Sequence, residues 1–211
     1  MEVLKLDITL KGDRDQVSPL AIDVLINNAA IGESESLAEV NVDRIRRAFE
    51  VNVFSTLELT QLVLKGMIAR RRGTVIFVSS IAGRVPTPFM MPYAMTKFAL
   101  SAAGAGLRAE MDVLGKNIQV SIIEPGAIHT GFNQAMTGRK YKWMQHQSYL
   151  SDKIDELKAR EDRVFAFLEA KRTNSIVAQY VKAAEATRPR LRYVAPWIQR
   201  VFVRLARMAG V

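Results

Sequence analysis

The chain has 211 residues, 49% apolar and 24% charged, with no cysteine. These proportions exclude a disordered or fibrous chain, and the missing cysteines exclude disulfides, thiolate catalysis and Cys-based zinc sites. The net charge of +9 is uneven: residues 1–137 hold 14 Lys+Arg against 14 Asp+Glu, residues 138–211 hold 16 against 7, and the last 25 residues carry six arginines and no acid. A nucleic-acid-binding domain would spread its basic residues over a binding face. A neutral body with a basic tail points instead to one catalytic or binding domain over 1–211 with an anchoring or packing element. No uncharged apolar run reaches the ~18 residues of a membrane helix. Glu2 and Asp7 stand where a signal peptide would be basic and then apolar, so a cytoplasmic location is expected, peripheral to a membrane if the tail anchors there.

In chain order, Glu2–Ile8 reads as a short strand and residues 11–20 as a polar turn. Asp23–Ile26 is a compact apolar run, a buried-strand signal. One long helix follows, with Asn41 as N-cap, apolar residues from Val42 to Met67 at helical spacing, and Arg70–Arg72 and Gly73 closing it. Thr74–Ser79 is a second buried strand. A second amphipathic helix covers 92–114 and ends at Gly115; Ile118–Ile123 is a third strand stopped by Pro125-Gly126. Residues 131–150 read as a mobile loop. Helices near 151–171 and 174–187 precede a strand at Arg192–Val194 and a last helix from Pro196. Strands alternating with helices predict an α/β fold with a parallel sheet.

Tyr93 and Lys97 lie four residues apart on the second helix, which puts both side chains on one face. A phenol titrates near 10, and an ammonium within about 4–6 Å lowers that value, so the pair suits general acid/base chemistry on a carbonyl or alcohol. Tyr149 and Lys153 share the spacing, but context separates the pairs. Tyr93 follows a strand ending in Ser79-Ser80, at the edge where open α/β sheets bind ligands. Tyr149 follows no strand and has polar neighbours, which marks a surface tyrosine beside a solvated lysine.

NNAA at 27–30, VNV at 51–53, VSSIAG at 78–83, YAMTK at 93–97 and EPGAIHT at 124–130 together resemble the short-chain dehydrogenase/reductase family, in order and in register from about residue 3 to the end. The resemblance implies a Rossmann-type parallel sheet flanked by helices, and hydride transfer between NAD or NADP and a small-molecule carbonyl/alcohol pair. It implies Tyr93 as proton donor/acceptor and Lys97 as the group that lowers its pKa and holds the nicotinamide ribose. It implies Ser80, thirteen residues before Tyr93, as the hydrogen-bond donor to the substrate oxygen, and Asn52 as the holder of a relay water. On the cofactor it implies Asp7 at adenine, Asn28 and Ala29 along the adenosine, Val51 behind the ribose, and Pro125, Gly126, Ile128 and Thr130 around the nicotinamide and pyrophosphate. His129 falls on a variable position and reads as a loop residue. No metal is implied, and a homo-oligomer is.

The pattern breaks at its start. The family's glycine-rich phosphate loop should follow the first strand, but the first glycines are Gly12 and Gly32. Gly104-Ala-Gly106-Leu-Arg-Ala109 fits GxGxxA inside a helix, where it reads as a close-packing surface rather than a phosphate loop. The chain is expected to lack the first two strand–helix units, and with them the helix N-terminus that binds pyrophosphate. Two readings stand: an oxidoreductase acting on a lipophilic substrate, whose apolar lid holds Phe132, Met136, Tyr141, Trp143 and Met144, or a non-catalytic remnant that binds a partner or membrane. The resemblance is nearest to dehydrogenases of the steroid and retinol type. In the tail, Trp197, Ile198, Val201, Phe202, Leu205, Met208 and Ala209 share one helical face and Arg200, Arg204 and Arg207 another. Segment 196–211 therefore reads either as a packing helix or as a helix in a membrane surface.

Overall fold

The computed structural model describes residues 3–115 and 117–210; Glu2 and Val211, the outer ends of two segments read from sequence, lie outside the described residues. Four strands, β1 (Val24–Asn27), β2 (Arg72–Val78), β3 (Asn117–Pro125) and β4 (Arg192–Ala195), form one sheet in the order β1-β2-β3-β4. All three pairings are parallel. Among the described residues, eight α-helices connect and flank them: α1 (Lys11–Asp15), α2 (Val42–Phe49), α3 (Ser55–Arg70), α4 (Met91–Leu114), α5 (Phe132–Gln147), α6 (Ile154–Leu168), α7 (Asn174–Glu185) and α8 (Trp197–Met208).

Alternation along β2 builds two cores. Val75 and Phe77 pack with Val63, Leu64, Met67 and Leu100 of α3 and α4, while Ile76 packs with Ile176 and Ala183 of α7 and Tyr193 of β4. This period of two, with both faces covered, is the pattern of a buried parallel strand. A Cβ on Gly104 would meet Ile122 at 2.8 Å and Phe77 at 3.2 Å, so the GxGxxA string serves close packing of α4 on the sheet, as its helical context predicts.

Four expectations are corrected. Residues 3–7 form no strand: the strand next to this segment in the expected order is not in the sheet, and β1 is the edge. The helix expected over 41–72 is interrupted by a π-helical turn at Glu50–Phe54, because the Asn52 side chain is anchored to the core and the extra residue in the turn carries it there. Gly73 does not end α3. Arg71 does, with φ 59°, and Gly73 lies inside β2 where a Cβ would overlap Met67. Residues 131–150 are mostly helix α5 rather than a loop, held by buried Met136, Tyr141 and Met144.

Candidate active site

The C-terminal ends of β2 and β3 open on a cavity of about 990 Å³, at the place where open α/β sheets bind ligands. Ser80 caps a short 3-10 turn, Ile81–Gly83, its Oγ accepting from Ala82 N at 3.1 Å and donating to Pro125 O at 3.3 Å. Ser79 is fixed behind it, donating to Lys97 O at 2.8 Å. Gly83 lets this turn close on α4, since a Cβ there would meet Lys97 O at 2.6 Å. The strand end and the first turns of α4 thus form one unit carrying Ser80, Tyr93 and Lys97.

Tyr93 and Lys97 are 8% and 2% exposed, with Lys97 Nζ 5.5 Å from the centre of the tyrosine ring. Lys97 Nζ donates to Val78 O at 2.8 Å. Burial pushes the Lys97 ammonium down to about 8. Burial pushes the Tyr93 phenol up to about 12; a hydrogen bond with Ser80 works against the rise and Tyr180 adds to it. Desolvation is the largest influence on Tyr93, and the Lys97 ammonium has its hydrogen bond to a strand carbonyl. Its raised value keeps the Tyr93 phenol protonated at neutral pH.

Asn52 is fully buried in the π-helical turn. Its Oδ1 accepts from Ile31 N at 2.8 Å, and its Nδ2 donates to Ile31 O at 2.9 Å and Thr96 Oγ1 at 3.0 Å. It touches α4 next to Lys97 without lining the cavity. Asn28, Ala29, Pro125, Gly126, Ile128 and Thr130 all line it, with Ser80, Tyr93 and Lys97. Asp7 and Val51 do not. Asp7 is exposed and closes its own turn, accepting from Thr9 N and Thr9 Oγ1, and these bonds hold its carboxyl below the usual range. Its segment is outside the sheet, which removes the strand end that would aim it. Val51 is half-buried within the π-helical turn. His129 is a loop residue as read: it is exposed and ties its loop to Glu169 at 2.9 Å. Tyr149 is 67% exposed and lies before the turn that carries Lys153. Of the apolar set on α5, Phe132 and Tyr141 line the cavity. Phe132 packs on Tyr93 with ring centres 5.6 Å apart, while Met136 and Met144 are spent on the core.

Several site residues had no motif to mark them. Tyr180 of α7 lines the cavity and donates to Asn28 Oδ1 at 3.2 Å, its phenol pushed up to about 12 by burial. Phe89, before α4, lines the cavity at φ 61°, a strained conformation for a bulky residue. Behind the site, Glu124, fully buried at the end of β3 and the first residue of the EPGAIHT string, holds Arg84 at 3.0 Å and also Arg192.

The chain is similar to known proteins along most of its length. A family model described as short chain dehydrogenase matches residues 10–140. Dehydrogenase/reductase SDR family member 7B of Rattus norvegicus is 39% identical over 112 residues, 53% of this chain and 34% of the relative. Human 17-beta-hydroxysteroid dehydrogenase 13 is 27% identical over 145 residues, 68% of this chain and 48% of the relative. A short-chain dehydrogenase from Sphingobium yanoikuyae, solved in complex with NADPH, superposes with a TM-score of 0.68 at 20% identity, over 100% of this chain and 76% of that one. The chain spans about a third to a half of the length of these curated relatives.

Proposed function

The chain belongs to the short-chain dehydrogenase family, and from that premise we propose that it reduces a carbonyl on an apolar substrate, or oxidises the matching alcohol, with NAD or NADP as cofactor. The observation that carries this reading is that half-buried Ser80 and buried Tyr93 and Lys97 line one mainly apolar cavity.

The residues present fit the nicotinamide half of such a cofactor. Lys97 has three ammonium protons, and the carbonyl partner it has among the described residues is Val78, which leaves donors for ribose hydroxyls. Asn28, Ala29, Pro125, Gly126, Ile128 and Thr130 supply a wall beside it. The adenosine half fits poorly, because Asp7 and Val51 stand outside the cavity and the chain has no glycine-rich strand-to-helix turn. When bound, the nicotinamide supplies or accepts the hydride. Ser80 Oγ gives up its bond to Pro125 O to hold the substrate oxygen. Tyr93 Oη donates its proton to that oxygen as the carbonyl carbon becomes tetrahedral. The Lys97 ammonium, desolvated beside the ring, stabilises the phenolate left behind. Asn52, through Thr96, keeps the first turns of α4 in place.

The test is carbonyl reduction by the 211-residue chain at saturating NADPH against a panel of lipophilic ketones. Turnover that disappears in Tyr93→Phe supports the reading. No turnover at any cofactor concentration overturns it.

A further inference from the structure

Helix α8 leaves an apolar arc open. It rests on the body through buried Gln199 and Val203, while Trp197, Ile198, Val201, Phe202, Leu205 and Met208 are exposed, Trp197 by 75% and Met208 by 84%. At ~100° per residue these six share one arc, and Arg200, Arg204 and Arg207 occupy the arc beside it. The sequence left two uses for this stripe, packing or membrane contact, and packing on the body takes a different side of the helix. A contiguous exposed apolar patch rimmed by charge marks an interaction surface.

Two observations identify what covers it. The first is charge. All charged side chains of α8 are arginines, and the last 25 residues contain no acid. A second copy placed symmetrically on this arc would bring like charges together, whereas an anionic lipid surface complements them. The second is continuity with the cavity. Phe202 and Val203 line it. Gln199 Nε2 donates to Leu168 O at 2.7 Å, which sets the end of α6 against α8. There Val164 and Phe167 are 49% and 78% exposed, and Val164 also lines the cavity.

We propose that α8, with the adjoining end of α6, docks on the surface of an anionic lipid bilayer and that the cavity opens into this contact. No helix among the described residues is long and apolar enough to cross a membrane, so α8 lies in the interface rather than spanning it. Its apolar arc enters the acyl boundary, and Arg200, Arg204 and Arg207 reach the phosphates with their stems along the apolar zone. An apolar carbonyl or alcohol then passes from lipid to cavity past Phe202. That last step rests on the oxidoreductase reading; the docking does not.

The experiment is co-sedimentation of the 211-residue chain with phosphatidylcholine vesicles, with and without phosphatidylserine. Binding is expected only with phosphatidylserine and is weakened by salt. In a Trp143→Phe background, Trp197 emission shifts to the blue and is quenched by brominated lipid. Trp197→Asp with Leu205→Asp abolishes binding. Arg200→Gln, Arg204→Gln and Arg207→Gln together lower the partition coefficient about a hundredfold, at roughly fivefold per arginine. These positions are exposed, and an unchanged melting curve shows that the variants fold. A chain that stays in the supernatant with phosphatidylserine at low salt overturns the proposal. So does binding that survives the double aspartate variant, or a dimer that this variant dissociates while vesicles remain unbound. Vesicle binding by a chain with no reductase activity sinks the function proposed above and leaves the docking intact.

Discussion

Gln199 acts on Ala127 as a neighbouring strand would: its Oε1 accepts from Ala127 N at 2.7 Å and its Nε2 donates to Ala127 O at 3.2 Å. Gly126 makes the approach possible, since a Cβ there would overlap the Gln199 amide. One buried glutamine on the last helix thus holds the loop after β3 that lines the cavity. Gln199→Ala leaves the Ala127 amide groups without these partners, a loss of about 1–3 kcal/mol. Denaturant melts should show it as a lower midpoint with an unchanged slope.

Tyr93→Phe removes the hydroxyl proposed to donate its proton to the substrate oxygen. General acid catalysis is worth about 10²–10⁴ in rate, and the carbonyl reduction rate should fall by that much. Thermal stability should hold or rise, because a buried hydroxyl is removed. Activity within tenfold of the parent would remove Tyr93 from its role.

Lys97 ties function to stability. Its ammonium titrates at about 8 in the fold and near 10.4 when unfolded. Between those values the unfolded chain binds more protons, so stability rises with pH across that window. Lys97→Met removes the buried charge and should stabilise the protein by up to ~3 kcal/mol at neutral pH, less the cost of freeing Val78 O. The gain should shrink as pH climbs from about 8 toward 10.4, while activity is lost throughout. In the parent, reduction should be flat below about 8 and fall above it as Lys97 loses its proton. Denaturation at two pH values and a pH–rate profile check both halves.

The 211-residue chain should bind NADPH weakly. Asp7 and Val51, which the resemblance puts at the adenosine, stand outside the cavity, and residues 1–211 hold no glycine-rich strand-to-helix turn of the kind that binds pyrophosphate. Titration followed by nicotinamide fluorescence should give a dissociation constant weaker than micromolar. A micromolar value would show that the chain holds the cofactor by another route.

Asn52→Ala should lower kcat more than it raises KM. The change removes the bonds from Asn52 to Ile31 and Thr96, and the start of α4 then loses its tie to the π-helical turn. The buried Ile31 and Thr96 groups left behind should cost about 1–3 kcal/mol of stability. An unchanged kcat in a destabilised variant would make Asn52 a core residue only.

The sequence by itself determined the alternation of strand and helix, the parallel sheet and the group at its end. Those signals are local: apolar runs such as Thr74–Ser79, a glycine at 115 that takes φ 64° to end α4, and a tyrosine and lysine one helical turn apart. Periodicity carries no record of what a segment pairs with. Residues 3–7 have strand composition but no neighbouring strand, and a strand without a partner leaves its backbone groups unpaired. The tertiary structure alone decided that Asn52 swells a helix into a π turn, since that bond is to Ile31, distant in sequence. It also decided that burial raises the Tyr93 phenol, because burial is a property of the packed cavity and not of residue spacing. The side of α8 that meets the body was settled likewise, through Gln199, a polar residue that no apolar pattern would select.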